Sequence, residues 1–563
     1  MKKFLKIIGL VLVATMIVYL LTGCSDNTLP GNTVAGAPNY DDAVKELDTF
    51  YSNINPKKVA PRLDVDMTDG TVAASLADLS TFPITVQGKG QINFEIAAAT
   101  ELSASNPDDW LNIVADRFNR AGMKIGDKTV SVTVRKITSG EVLTYMVDGG
   151  YRPECYIPSN DAWGQMLTAS GIKTITVKDR IAGNTAGVLM KNSVHKEFVQ
   201  KHGEVNMANV LQAAIDGEIV FAYTNPYTSS TGLNILSSML YAFDNNNPLS
   251  DTAVNKLIEY QRNAPTAAYT TAVLKNSAAK GIIDVMVMEE QAYMNTKELT
   301  DNYTYTPAGI RHDHPVYTFE YVDAEKQEAI RLFADYCLTD ENQKLATEKK
   351  FNLHDDYVAQ PNGMDGNGYL AAQRVWKKNK NGGRPVIAVF VADISGSMRG
   401  SRINALVESL KNTMNYIDSD NYVGLVSYDE NVYVNLPVAR FDDKQRAYFS
   451  GAIKDLRVAG NTATYNATLV GAKMLLDAAK DVPDAKLLLF VLTDGETNAG
   501  YDLNRVMPII SALQIPVYTI GYEVGSSALS QLQQLSNLNE ASCINTDVEG
   551  IVNVLRNLFN VNM

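Results

Sequence analysis

The feature that most constrains this chain is an uninterrupted apolar run, VIAVFVA, at residues 386–392. Seven consecutive apolar residues, four of them β-branched, are typical of a strand that is covered on both faces. Such a strand lies inside a sheet rather than at its edge. The run ends directly in Asp393, which is followed by Ser395 and Ser397. These polar side chains are therefore predicted to lie where a central strand ends.

Strand and helix patterns alternate through the rest of the C-terminal region. Helical spacing over residues 403–417 is followed by an apolar strand at 422–428, and a second apolar strand at 486–493 ends in Asp494. This alternation predicts an α/β fold with a doubly wound, mostly parallel sheet. Ligands of such sheets bind beyond the carboxyl ends of the strands, where Asp393 and Asp494 both fall.

The same region, residues 385–563, resembles a von Willebrand factor A domain. The resemblance rests on Asp393-x-Ser395-x-Ser397, on Thr462 within Gly-Asn-Thr, and on Asp494 within Thr-Asp-Gly. In that family these five positions form a metal-ion-dependent adhesion site, which implies that their oxygens hold Mg²⁺ or Mn²⁺. The resemblance also implies an open coordination position that a partner protein fills with an Asp or Glu carboxylate. Taken singly, each motif also fits a helix N-cap or a turn.

Catalysis has little support in the sequence of this region. The chain contains no GxxxxGK[ST] phosphate-binding loop, and no His or Cys stands beside the metal motifs. A bound cation could in principle support hydrolysis as a Lewis acid. We nevertheless predict a binding module rather than an enzyme.

The middle region repeats one local pattern, in which a strand runs into a hydroxyl-rich turn at a helix start. The pattern occurs near residues 91–101, 157–163 and 219–232, and an amphipathic helix is predicted over 324–344. This order resembles a type II periplasmic substrate-binding protein, the two-lobed clamp used with ABC importers. The resemblance implies a ligand between the lobes, held by helix N-termini, which favour anions. The candidate contacts are Thr100, Ser159, Asn160, Thr228, Ser229, Ser230 and Thr231.

Each of these side chains could instead cap its own helix. Their recurrence at equivalent strand ends favours the cleft, and an oxyanion or another small polar solute fits it. A sugar or peptide stacked on Trp163 or Tyr227 stays open. The motif His312-Asp313-His314 would place two imidazoles on one face of a strand, but the sequence offers no third metal ligand beside it.

The chain begins with the pattern of an export signal. Lys2, Lys3 and Lys6 precede an apolar stretch at residues 7–21, which is short for a membrane-spanning helix. The stretch ends in Leu-Thr-Gly followed by Cys24. This sequence resembles a bacterial lipobox, which implies cleavage before Cys24 and lipid attachment to its thiol. We therefore expect a lipid-anchored protein on the extracytoplasmic face of the cell membrane, at the cell surface or in the periplasm.

The charge of the chain excludes one class of partner. The sequence has 50 basic and 63 acidic residues, a net charge of −13; loss of three lysines with the signal gives 47 − 63 = −16. A protein this acidic has no general attraction for nucleic acid. Besides Cys24, the mature chain has three cysteines, Cys155, Cys337 and Cys543, and we predict that they are small buried apolar residues.

Composition and resemblance together divide the chain into five parts. They are a signal peptide at 1–23, a tether and accessory segment at 24–88, a solute-binding clamp at 89–358, a linker with a short helix at 359–384, and the metal-site domain at 385–563. A binding or adhesion lipoprotein is the favoured function, because a plain importer receptor needs no second module. The alternative is an ABC-importer receptor whose C-terminal domain serves for docking.

Overall fold

The structure is a computed structural model of the chain. It describes residues 36–64, 78–264, 283–538 and 543–546, together with Leu76, Leu274, Leu555, Leu558, Asn562 and Met563. The predicted signal and Cys24 lie outside the described residues. Within the described part, no helix is both long enough and apolar enough to cross a membrane.

The segment that precedes the middle domain packs onto the C-terminal domain. Helix α1 (Tyr40–Ile54) buries Ala43, Leu47 and Phe50 in one hydrophobic core of that domain. The two-residue strand β1 (Lys57–Lys58) then pairs in parallel with an edge strand of the C-terminal sheet. Residues that the sequence assigns to a tether are therefore an integral part of the C-terminal domain.

The first lobe of the middle domain is a mixed sheet covered by helices. Its sheet order is β2-β5-β3-β6-β12-β7, in which β12 comes from the returning chain. The strands of its first segment are β2 (Ile84–Val86), β3 (Ile92–Ala98), β4 (Lys124–Ile125), β5 (Lys128–Lys136), β6 (Cys155–Ile157) and β7 (Thr174–Lys178). The helices are α2 (Thr100–Ser103), α3 (Trp110–Ala121), α4 (Ser139–Val147) and α5 (Ala162–Ala169).

The second lobe is a smaller sheet of order β11-β8-β10-β9, in which β8 runs antiparallel to both neighbours. Its strands are β8 (Thr185–Lys191), β9 (Phe221–Ala222), β10 (Val285–Glu289) and β11 (Tyr303–Arg311). Its helices are α6 (Asn192–His202), α7 (Met207–Ile215), α8 (Ser230–Phe243), α9 (Asp251–Asn263), α10 (Glu290–Met294) and α11 (Lys297–Asn302). The chain crosses between the lobes before β8 and after β11.

The chain then returns to the first lobe through β12 (Val316–Phe319). The single helix expected at 324–344 is two helices, α12 (Ala324–Cys337) and α13 (Asp340–Glu348). The break follows from a tight turn, in which the Leu338 N–H donates to the Asp335 carbonyl and the next helix starts at Asp340.

Helix α14 (Gly366–Asn379) occupies the predicted linker and packs against both lobes. Tyr369 lies in the hydrophobic core of the first lobe, whereas Ala372 and Trp376 lie in that of the second. The Gly/Asn-rich sequence before α14 was expected to mark a domain boundary. The structure instead makes this helix a buried part of the clamp.

The C-terminal domain is a seven-stranded sheet of order β1-β15-β14-β13-β16-β17-β18. Its strands are β13 (Val386–Asp393), β14 (Tyr422–Tyr428), β15 (Val432–Arg440), β16 (Lys486–Thr493), β17 (Val517–Tyr522) and β18 (Cys543–Thr546), and its helices are α15 (Ser401–Thr413), α16 (Asp443–Lys454), α17 (Thr464–Ala479), α18 (Leu503–Leu513) and α19 (Ser526–Asn537). All pairs are parallel except β14 with β15. Alternate residues of β13 enter two separate cores, so this strand is buried on both faces as its sequence predicts.

The structure also bears on two other predictions, the start of the solute-binding domain and the burial of the cysteines. The solute-binding domain begins before residue 89, because β2 pairs with β5 and completes one edge of the first-lobe sheet. Cys155 and Cys337 are buried and unbridged, and their surroundings are the apolar core of the first lobe. The side chain of Cys543 is not among those described.

Candidate functional sites

The residues predicted to bind a metal lie together at the carboxyl edge of the C-terminal sheet. Asp393 is the last residue of β13, and Asp494 directly follows β16, which pairs with β13 in parallel. Ser395 and Ser397 lie in the turn after β13, where Gly396–Met398 forms one 3₁₀ turn. Parallel pairing of two buried strands thus brings together carboxylates that are far apart in sequence.

Hydrogen bonds join four of the five predicted side chains into one network. Asp393 Oδ1 accepts from the Ser395 N–H at 2.7 Å, and Asp393 Oδ2 accepts from Thr493 Oγ1 at 2.6 Å. Ser395 Oγ lies 3.1 Å from Ser397 Oγ, and Ser397 Oγ donates to Asp494 Oδ1 at 2.7 Å. Two hydroxyl and two carboxylate side chains therefore converge at one point.

The fifth predicted residue, Thr462, lies on the neighbouring loop before α17. Its N–H donates to Asn498 Oδ1 at 2.8 Å, and its carbonyl accepts from the Asn498 N–H at 3.0 Å. The Gly396 N–H donates to the Gly460 carbonyl at 3.0 Å, which joins this loop to the turn after β13. Backbone contacts therefore hold Thr462 beside the network.

Burial governs the charges at this site. Burial raises the pKa of Asp393 to about 6, although hydrogen bonds from Ser395 and Thr493 act in the opposite direction. The side chain of Asp494 is fully buried, and its Oδ2 accepts from Arg402 Nη1 at 2.7 Å. Sequence reasoning missed Arg402, whose only signal is its position in the first turn of the helix that follows the metal motif.

The oxygen set at this edge fits a hard divalent cation. Hydroxyl and carboxylate oxygens are the ligands such ions prefer, and two buried carboxylates concentrate negative charge that a cation would neutralise. Among the residues that the structure describes, no three His, Cys, Asp or Glu side chains are grouped as a metal site. A cation held here would therefore depend on the serine hydroxyls as much as on Asp393 and Asp494.

The first-lobe candidates for solute binding lie at two helix starts that face the second lobe. Thr100 is the first residue of α2. Ser159 Oγ donates to the carboxylate of Glu101, and Asn160 Nδ2 lies 3.1 Å from His312 Nε2. Both Ser159 and Asn160 are buried. Their side chains are thus engaged in the space between the lobes rather than in capping α5.

The second-lobe candidates lie at the start of α8. Ser229 is the N-cap, and its Oγ accepts from the N–H three residues later at 3.2 Å. Ser230 Oγ accepts from Trp163 Nε1 of the first lobe at 2.9 Å, and Thr231 Oγ1 donates to Glu289 Oε1 at 3.4 Å. Capping therefore accounts for Ser229 alone, while Ser230 and Thr231 face the interlobe space.

The two lobes are in direct contact at this point. The Gly140 N–H at the start of α4 donates to the Thr228 carbonyl at 3.4 Å. A methyl group placed on Gly140 would lie 1.9 Å from the Tyr227 carbonyl oxygen, so no larger residue fits. The lobes therefore meet directly at the starts of α4 and α8, an arrangement that we call closed.

The two histidines of the His-Asp-His motif do not share one face. Strand β11 ends at Arg311, and His314 adopts a left-handed φ of 48°. His312 Nδ1 lies 2.8 Å from Glu289 Oε1 of the second lobe, whereas His314 Nε2 lies 3.2 Å from Glu101 Oε1 of the first. The motif thus joins the carboxylates of both lobes.

Burial and mutual contacts shift the pKa values of Glu101, His314 and Glu289 in different directions. Burial alone would raise the pKa of Glu101, but the hydrogen bond and charge of His314 outweigh it and lower that pKa. Burial would lower the pKa of His314, and Glu101 raises it. Burial and the nearby charge of Glu101 raise the pKa of Glu289. Sequence reasoning found neither Glu101 nor Glu289 as site residues.

Comparisons with known proteins identify both domains. Residues 100–352 match the family model of a bacterial extracellular solute-binding protein, and residues 388–557 match that of the von Willebrand factor type A domain. The chain therefore combines a solute-binding domain with a C-terminal von Willebrand factor type A domain. Both are families of binding or interaction domains, and the first implies an extracytoplasmic location.

Individual relatives are distant and match only in part. Inter-alpha-trypsin inhibitor heavy chain H1 of Sus scrofa is 27% identical over 167 residues, which are 27% of this chain and 17% of the relative. An uncharacterized protein of Synechocystis sp. is 24% identical over 170 residues, 28% of this chain and 39% of that protein. The chain thus spans less than two fifths of either relative. Among solved structures, the sulfate-binding protein SubI from Mycobacterium tuberculosis is 13% identical, with a TM-score of 0.34, and the match covers 47% of this chain and 88% of SubI.

Proposed function

We propose that the chain is an extracytoplasmic binding lipoprotein. In this proposal the C-terminal domain binds a carboxylate of a partner protein through a divalent cation, and the two-lobed domain binds a small solute. The observation that carries the proposal is the network of Asp393, Ser395, Ser397 and Asp494 at the carboxyl edge of the sheet.

The chemistry of the network supports this role. Mg²⁺ or Mn²⁺, when bound, would supply a positive charge and a coordination position open to a carboxylate oxygen. Ser395 and Ser397 would ligate through their hydroxyls, with Thr462 available on the adjoining loop. Asp393 and Asp494 would ligate directly or through water, and their hydrogen bonds hold the serines in place.

Calorimetric titration of the full chain with MgCl₂ tests the metal site. Ser397→Ala removes one hydroxyl at an exposed position and is expected to weaken Mg²⁺ binding at least tenfold, about 1.4 kcal/mol. Ser401→Ala is the matched control, because Ser401 is an exposed serine on the next helix. Equal Mg²⁺ affinity in the two variants would contradict the assignment.

The match of residues 100–352 supports the solute-binding part of the proposal. A thermal-shift screen of oxyanions, amino acids, amines and sugars tests it. A ligand present at 100 times its dissociation constant adds ~2.7 kcal/mol to the free energy of unfolding. A screen in which none of these classes raises the unfolding temperature would count against solute binding.

Lipid attachment to Cys24 would hold the protein at the membrane. We expect the full-length protein in the detergent phase of a phase-partition assay, and a Cys24→Ser variant in the aqueous phase. Mass spectrometry of the mature N-terminus provides the direct measurement. An unmodified Cys24 in the membrane fraction would contradict this part of the proposal.

A further inference from the structure

We propose that the interlobe cleft selects a solute carrying a protonated amine rather than an oxyanion. This inference rests on the proposed function, since it names the class of solute for the same clamp. It follows from three features of the described residues between the lobes: a group of buried carboxylates, the engagement of the cationic side chains near them, and buried polar atoms that lack a partner.

His312 lies between polar groups of both lobes. Its Nδ1 lies 2.8 Å from Glu289 Oε1, and its Nε2 lies 3.1 Å from Asn160 Nδ2. Asn234 Oδ1 accepts from the Ile310 N–H at 2.9 Å, and Asn234 Nδ2 donates to the Ile310 carbonyl at 3.0 Å, so the backbone already satisfies this amide. His312 and Glu289 thus form a buried pair within the cluster.

His314 pairs with the carboxylate of the other lobe. Its Nδ1 lies 2.8 Å from the Ala182 carbonyl, an acceptor, so Nδ1 carries a proton. Its Nε2 faces Glu101, which favours a second proton and a charged imidazolium. The adjacent Glu290 is a third buried carboxylate, and it pairs with His354.

The cationic side chains at the crossing between the lobes are already engaged. Arg311 pairs with Asp313 at 2.9 Å, and Arg180 pairs with Asp355 and, at 3.8 Å, with Asp313. Ser229 caps α8, the longest helix that starts at the cleft. An oxyanion entering this space would therefore meet Glu289 without a free guanidinium to offset it.

Two buried acceptors in the same cluster lack partners among the described residues. Asn160 directs Nδ2 to His312 Nε2, which leaves its Oδ1 unpaired. Gln291 donates through Nε2 to Asp108 Oδ1 at 2.8 Å, which leaves its Oε1 unpaired. Asn160 is 1% exposed and Gln291 is fully buried. Leaving a buried acceptor unpaired costs ~1–3 kcal/mol. A hydrogen-bond donor placed beside either oxygen would therefore be stabilising.

One unpaired donor lies beside these acceptors. Asn184 Oδ1 accepts from the N–H groups of Thr185 and Gln291 at 3.0 and 3.2 Å, so its Nδ2 is the free group. The His312 N–H donates to the Asn184 carbonyl at 3.0 Å, which places Asn184 in the same cluster.

An ammonium group satisfies this set of requirements. It carries three donors, no acceptor and one positive charge, and so matches two acceptor oxygens and the Glu289 carboxylate. An oxyanion offers acceptors only and would leave both of these acceptor oxygens unpaired. The remaining donor, Asn184 Nδ2, would contact a hydroxyl or carbonyl oxygen elsewhere on the solute.

The test is a thermal-shift and calorimetric comparison on the full chain. The amine probes are ethanolamine, putrescine, spermidine and lysine; sulfate, phosphate and molybdate are the oxyanion probes, and glucose and ribose the neutral ones. At least one amine is expected to raise the unfolding temperature. Glu289→Gln keeps the shape of the site but removes its charge, and is expected to weaken binding of that amine at least tenfold.

Glu298→Gln is the matched control, because Glu298 is exposed on α11 in the same lobe. Asn160→Ala serves as a second variant if Glu289→Gln fails to fold, and it is also expected to weaken binding of the amine. A response to oxyanions or sugars with none to amines would overturn the inference and leave solute binding intact. A response to none of the probes would overturn both the inference and the solute-binding function.

Discussion

The closed clamp depends on a glycine that leaves no room for a side chain. At Gly140 an added methyl carbon would lie 1.9 Å from the Tyr227 carbonyl oxygen and 2.7 Å from Thr228 Cα. Ordinary contact begins near 3.4 Å, so Gly140→Ala requires the lobes to separate by about 3.4 − 1.9 = 1.5 Å at this point. The φ of Gly140 is not in the left-handed region. The substitution therefore acts through the clash and not through backbone strain.

The size of the effect follows from the energy of overpacking. Inserting a methyl group into a packed contact typically costs ~1–3 kcal/mol. Because each 1.4 kcal/mol is a tenfold change, the closed arrangement should lose about 5- to 150-fold in population relative to open forms. The same factor lowers the apparent affinity for any solute that binds only the closed clamp.

Hydrogen–deuterium exchange measures this shift without a solute. Amides of residues 225–232, which meet Gly140 across the interface, are expected to exchange faster in Gly140→Ala by a factor in that range. Gly525→Ala is the control, because a methyl group there meets nothing within 4 Å and φ is −66°. Unchanged exchange at 225–232 in a folded Gly140→Ala protein would refute the reasoning.

Three further predictions concern the C-terminal domain and its contact with α14. Leu47→Ala removes a fully buried side chain of α1 and should lower the free energy of unfolding of this domain by ~2–5 kcal/mol in urea titrations, whereas Glu46→Ala, on the exposed face, should have little effect. Burial lowers the pKa of Lys377 to about 8. A lysine whose pKa is lower in the folded state than in the unfolded state destabilises the folded protein most at pH values below the folded pKa. The free energy of unfolding should therefore rise by ~3 kcal/mol between pH 8 and 10.5. Lys377→Met should flatten this rise. Arg402→Gln removes the cation paired with Asp494 and should strengthen Mg²⁺ binding by roughly tenfold in calorimetry; unchanged affinity would show that the ion pair does not compete.

The sequence predicts the position of Asp393 and Ser395 at the sheet edge because the signals for it are local. A fully apolar run identifies β13 as a central strand, and the residue that ends such a strand must lie at the sheet edge. Asp393 and Ser395 are therefore placed by the same pattern that forms the strand. Arg402 could not be assigned in this way, since its contact with Asp494 depends on the helix orientation after the turn.

The cleft is harder to predict because its contacts span the two lobes. Glu101 and His314 are 213 residues apart in sequence, and no periodicity links them. The hydroxyl-rich turns predict Ser159 and Ser230 as site residues; Ser159 contacts Glu101 of its own lobe, and Ser230 contacts Trp163 of the other lobe. The carboxylates that determine its charge, such as Glu289, follow an apolar strand and resemble ordinary exposed residues in sequence.

The short helix that the sequence predicts in the linker is α14, but its burial in the clamp could not be predicted, for a related reason. Glycine and asparagine near residues 362–368 are typical of flexible connections. In the structure Gly366 is required by a close approach instead, because an added methyl group would lie 2.2 Å from the Gln165 carbonyl oxygen of α5. Composition cannot distinguish a glycine that permits motion from one that permits close packing.

Helix α14 therefore links the two binding domains physically. Tyr369 near its start is buried in the first-lobe core, and Trp376 near its end donates through Nε1 to Tyr223 of the second lobe at 2.6 Å. One turn of the same helix also reaches the C-terminal domain, where Lys377 Nζ donates to the Met563 carbonyl at 2.7 Å. A separation of the lobes must break one set of these buried contacts. If α14 moves with the separating lobe, its position against the C-terminal domain changes, which is the physical condition for a solute in the cleft to influence partner binding at the metal site.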